Sequence, residues 1–74
     1  MTPYKNLSGD SGVSAYAIGR DFIDVLFTGG DIYRYTTASV GAADLAQMKQ
    51  LAVAGRGLST FISQSVRERY ESKR

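Results

Sequence analysis

The stretch Phe22-Ile23-Asp24-Val25-Leu26-Phe27-Thr28-Gly29-Gly30-Asp31-Ile32-Tyr33-Arg34-Tyr35-Thr36-Thr37 decides the fold. Its first six residues are rich in β-branched and aromatic side chains and apolar on both faces except at Asp24, as a central strand requires. Thr28-Gly29-Gly30-Asp31 is a hairpin signal, because paired glycines accept the positive φ angles of a tight turn. Ile32 to Thr37 then alternates as the returning strand. Loop length decides which faces meet. A two-residue Gly29-Gly30 loop pairs Phe27 with Ile32 and places Arg34 on the face of Ile23 and Val25. A three-residue Gly29-Gly30-Asp31 loop pairs Phe27 with Tyr33 and Val25 with Tyr35. The second register gathers Ile23, Val25, Phe27, Tyr33 and Tyr35 on one face and leaves Asp24, Arg34 and Thr36 on the other. Burying an arginine costs far more than a bulge, so the three-residue loop is expected.

Upstream, Val13 to Ile18 has period two, with Tyr16 and Ile18 on one face and alanines on the other. Gly19-Arg20-Asp21 supplies the turn into the central strand. Residues 1–12 read as a flexible leader, and residues 71–74 as a frayed basic tail. Downstream of Thr37 the period becomes helical. Ser39 or Gly41 can cap a first helix carrying Leu45, Met48, Leu51 and Ala52, which ends at Gly55-Arg56-Gly57. A second helix starting near Ser59 carries Leu58, Phe61, Ile62, Val66 and Tyr70 on one stripe. The expected fold is therefore α+β. A three-stranded antiparallel meander is followed by two helices on one face (β-β-β-α-α), as one domain over residues 13–70. Its core would hold Val25, Phe27, Leu45, Met48, Leu51, Phe61, Ile62 and Val66. The uncovered side of the sheet is where a partner would bind.

The chain has 74 residues, 43% hydrophobic and 22% charged, with no cysteine, histidine or tryptophan. That composition is globular, and the length suits one small domain. Missing cysteine removes disulfides, thiolate metal sites and redox thiols. Missing histidine removes the commonest general base and metal ligand. No apolar run approaches the ~18 residues of a membrane-spanning helix, so no membrane partner and a cytoplasmic location are expected. The charge is uneven. Residues 56–74 carry five cations and two anions, while residues 1–55 carry four cations and five anions. The basic end could meet phosphates or an acidic partner, or simply complement a helix dipole.

Constellations for catalysis are nearly absent. A serine nucleophile has no histidine base, and neither Gly29-Gly30-Asp31 nor Gly55-Arg56-Gly57 has the spacing of a phosphate or dinucleotide loop. No catalytic residue, cofactor or metal site is expected, and the protein is not expected to be an enzyme. Tyr33-Arg34-Tyr35 is the remaining candidate. With its tyrosine face open, two rings at strand spacing form a stacking platform for bases. With that face beneath the helices, the rings are core. Arg34 is the more exposed in either case.

Leu26-Phe27, Gly29-Gly30, Tyr33-Arg34-Tyr35, Gly55-Arg56-Gly57, Phe61 and Val66-Arg67-Glu68-Arg69-Tyr70 together resemble the KTSC domain family. That family comprises small bacterial proteins and C-terminal extensions of some lysyl-tRNA synthetases. The resemblance runs from Val13 to Tyr70. It departs where Thr36-Thr37-Ala38-Ser39 stands in place of a frequent proline, and where Ser63 replaces an asparagine. The family's attachment to a synthetase implies a link to RNA. Taken with the basic and aromatic residues, the expectation is a small non-catalytic binding module for RNA, with Arg34, Arg67 and Arg69 on phosphates and Tyr33 and Tyr35 stacking on bases where exposed. The alternative is a protein-interaction module without nucleic acid. A monomer is expected.

Overall fold

The computed structural model describes residues 1–7, 9 and 11–74; Ser8 and Asp10, which fall in the expected leader, lie outside the described residues. The chain is α+β, with an antiparallel sheet and helices. Strands β1 (Thr2–Pro3), β2 (Val13–Ile18), β3 (Phe22–Phe27) and β4 (Ile32–Thr36) precede helices α1 (Thr37–Val40), α2 (Ala42–Ala54) and α3 (Leu58–Phe61). A π-helical turn, Ile62–Val66, continues α3, and strand β5 (Ser72–Lys73) closes the chain. The spatial order is β1-β2-β3-β4-β5, each neighbour antiparallel.

The expected β-β-β-α-α order is corrected at both ends. Thr2–Pro3 pairs with β2 at Tyr16 and Ala15. Tyr4 behind it is buried, and its hydroxyl oxygen accepts the Leu58 N–H at 3.3 Å. Thr2–Tyr4 therefore contribute to sheet and core rather than standing outside them. Residues 71–74, expected as a tail, lie along the outer edge of β4. The Glu71 N–H donates to the Arg34 carbonyl (2.6 Å), and Ile32 and Arg74 exchange two backbone hydrogen bonds (2.9 and 2.7 Å). An edge strand offers unpaired N–H and C=O groups, and a returning segment that satisfies them gains more than a frayed end in water.

That return also shortens the second helix. It ends at Val66 instead of reaching Tyr70, and the Arg67 N–H closes it on the Ile62 carbonyl. The first helix runs unbroken as α2 from the expected cap Gly41 to Gly55, but the four-residue helix α1 precedes it. The Thr36 hydroxyl accepts the Ser39 N–H (3.1 Å) and the Ser39 hydroxyl accepts the Thr36 N–H (2.9 Å), a reciprocal cap that starts α1 inside the expected strand end. Gly41, at φ 90°, re-aims the chain into α2, and left-handed Gly55, at φ 83°, ends it.

The hairpin has three loop residues, but they are Thr28-Gly29-Gly30. The Gly30 N–H donates to the Phe27 carbonyl, the Phe27 N–H to the Asp31 carbonyl, and Gly30 takes φ 100°. Pairing is consequently Val25 with Tyr33 and Ile23 with Tyr35, not Phe27 with Tyr33 and Val25 with Tyr35. The shift moves each partner by two positions, so every side chain keeps its expected face. Ile23, Val25 and Tyr35 join Tyr4, Val13, Val40, Leu45, Met48, Ala52, Leu58, Ile62 and Val66 in one core beneath the helices. Phe27, Leu51 and Phe61, expected in that core, are only partly buried at its margin.

Candidate binding site

The core face of β4 carries the tyrosines. Tyr35 is 1% exposed, whereas Tyr33, nearer the hairpin, is partly open. Tyr70, delivered by the link between the π-helical turn and β5, meets both rings edge-on, at centroid distances of 4.8 Å to Tyr33 and 6.4 Å to Tyr35. Phe27 meets Tyr33 edge-on from the other strand at 5.2 Å. Burial, aided by Tyr33 and Tyr70, pushes the Tyr35 hydroxyl up to about 12. Tyr35 is thus a core residue, and no two-ring open platform exists on this strand.

A cleft of about 230 Å³ opens beside Tyr33, lined by Phe27, Asp31, Tyr33, Tyr35, Ile62 and Arg67. Arg67 is exposed at its rim. Lys73 on β5 lies with its Nζ 5.4 Å from the Tyr33 ring centroid and 3.8 Å from Asp31 Oδ2. The Tyr33 hydroxyl, and then Asp31, hold the Lys73 ammonium above its ordinary pKa, so it is charged throughout the physiological range. An aromatic wall with Arg67 at its rim, and beside it a Lys73 that Asp31 partly offsets, can take a flat ring carrying negative charge nearby, chiefly through Arg67.

Arg34 faces the other side of the sheet, as expected, but it is not free. Its Nε and second terminal nitrogen donate to the two carboxylate oxygens of Asp24 at 2.8 and 2.9 Å, directly across the strand pair. The guanidinium also lies 4.0 Å from the centroid of the Phe22 ring. Arg69 is likewise engaged, donating to the Val40 carbonyl at 2.9 Å and lying 3.6 Å from Asp44. Arg67 and Arg69 sit beyond the end of the helical segment. Of the five expected contacts, the structure brings only Tyr33 and Arg67 together with open space between them, and Tyr35 contributes to the cleft from below.

Lys73 was not among the expected contacts. Its signal is weak, since a cation three residues beyond a helical stripe reads as tail until a strand edge claims it. The Asp24–Arg34 pair had a better signal, in two opposite charges assigned to one face of adjacent strands. Among the described residues no group of three potential metal ligands converges, and no helix is long and apolar enough to cross a membrane. Comparison of the chain with protein-family models, curated proteins and solved structures gives no match.

Proposed function

We propose that this chain is a small non-catalytic module that binds single-stranded RNA at the cleft between the hairpin and the π-helical turn. The observation that carries the reading is Tyr33, half-buried in the cleft wall with Arg67 at the rim and Lys73 over its ring. One unpaired base would lie against the aromatic wall, while Arg67 and Lys73 meet the flanking phosphates. Arg34, Tyr35 and Arg69 then act by holding the scaffold rather than by touching RNA. Membership of the KTSC family belongs to the same proposal and rests on the motifs around Tyr33-Arg34-Tyr35. The module would act as a monomer in the cytoplasm without a cofactor.

Fluorescence anisotropy with a labelled mixed-sequence RNA at two salt concentrations tests it. Phosphate contacts make log K fall with log[salt], at a slope of about −0.7 per phosphate on a single strand. Arg67→Ala is expected to weaken binding about equally across sequences and to remove about 0.7 from that slope. No binding at low salt, or binding indifferent to Arg67→Ala, would leave the protein-interaction reading in its place.

A further inference from the structure

A second concavity lies on the face of β4 that carries Arg34, the face turned away from the cleft's tyrosines. This groove, of about 460 Å³, is lined by Asp21, Phe22, Arg34, Thr36, Thr37, Ala38 and Glu71. Among its described lining residues Arg34 is the one cation, and Asp24 holds it through two hydrogen bonds. Glu71 also acts on that guanidinium through space, but neither Glu71 nor Asp21, both exposed, has a described cation within ion-pair distance. With Asp24, Asp21 and Glu71 set against one arginine, the groove is net negative over an apolar and aromatic lining.

Both carboxylates are carried by backbone that is tied down. The Asp21 carbonyl accepts the Thr37 N–H at 3.1 Å, and the Glu71 N–H donates to the Arg34 carbonyl at 2.6 Å. The Phe22 floor already holds a cation, since the Arg34 guanidinium rests 4.0 Å from its centroid. An aliphatic stem can lie along Phe22, Ala38 and the threonine methyls while its charged head reaches the carboxylates. An anionic chain such as RNA would be repelled here.

We propose that this groove binds a lysine or arginine side chain from a basic peptide segment of a partner protein. Charge complementarity selects the occupant, and the apolar surface of Phe22, Ala38 and the threonine methyls favours a stem with a charged tip over a bare inorganic cation. This site is independent of the RNA reading, because it shares no residue with the cleft.

The probe is an unstructured peptide of alternating lysine and glycine, titrated into the ¹⁵N-labelled full chain at low salt, with a glutamate–glycine peptide as control. Shifts are expected at Asp21, Phe22, Thr36, Thr37, Ala38 and Glu71 for the lysine peptide alone. Asp21→Asn and Glu71→Gln should each weaken binding about 2- to 5-fold, the effect of one exposed ion pair. Glu68→Gln, an exposed carboxylate that lines neither cavity, should leave it unchanged. The amide spectrum of each variant reports that the fold is intact. Absence of shifts at low salt, shifts centred elsewhere, or equal weakening by Glu68→Gln would overturn the proposal.

Discussion

Asp24 and Arg34 stand directly opposite one another on β3 and β4 and close a two-point ion pair on the face of the sheet that the helices do not cover. The Asp24 side chain is 12% exposed and that of Arg34 31%. Phe22 beneath the guanidinium and Ala17 across from Asp24 narrow water's access to the pair. A carboxylate so placed depends on its partner for hydrogen bonds that solvent supplies only in part.

Arg34→Ala should accordingly lower the urea midpoint by more than Arg56→Ala, which removes an exposed cation from the loop after α2. The double variant Asp24→Ala/Arg34→Ala should lose less than the sum of the two single losses, because it leaves neither charge alone. Additive losses would show that the pair contributes nothing as a pair.

Met48 is completely buried, whereas Phe61 lies at the core margin. Truncating Met48 to alanine is expected to cost about 2–5 kcal/mol, a large share of the stability of so small a domain. Phe61→Ala should cost clearly less, roughly half of what a fully buried phenylalanine loses. Guanidinium titrations of the two variants give the order directly.

Gly19 is packed against the Phe22 ring so closely that an added Cβ would collide with it. Gly19→Ala is expected to displace the ring from beneath Arg34 and to destabilise by about 1–3 kcal/mol. Loss of the ring-current shift on the Arg34 side-chain protons would report the displacement, independently of the change in stability.

Alkaline pH should destabilise the protein through Tyr35. Its hydroxyl ionises near 10 in the unfolded chain and only at about 12 in the folded one. Between those values the unfolded state holds fewer protons, so stability is intact below pH 10 and falls as the pH rises toward 12. Tyr35→Phe should flatten that decline in melting temperature. An unchanged pH profile would mean that the ring is more open to water than its burial indicates.

What the sequence determined by itself is the α+β class, the hairpin between β3 and β4, and the division of their residues between two faces. These follow from local physics: period-two alternation, glycine at positive φ, and the cost of burying a lone arginine. Register survived at the level of faces because the loop moved by one residue and the pairing sum by two. The tertiary structure alone decided the ends of the chain and the state of the candidate site. No local pattern shows that residues 72–73 complete a strand edge at β4, because the unpaired groups they satisfy lie about forty positions earlier. That docking stops the second helix, brings Tyr70 onto Tyr33 and Tyr35, and sets Lys73 beside the cleft and Glu71 beside the groove. Whether Arg34 is a free cation or half of an ion pair is likewise a matter of cross-strand partners, since a side chain's charge is written in the sequence but its neutralisation depends on what folding places within 3 Å of it.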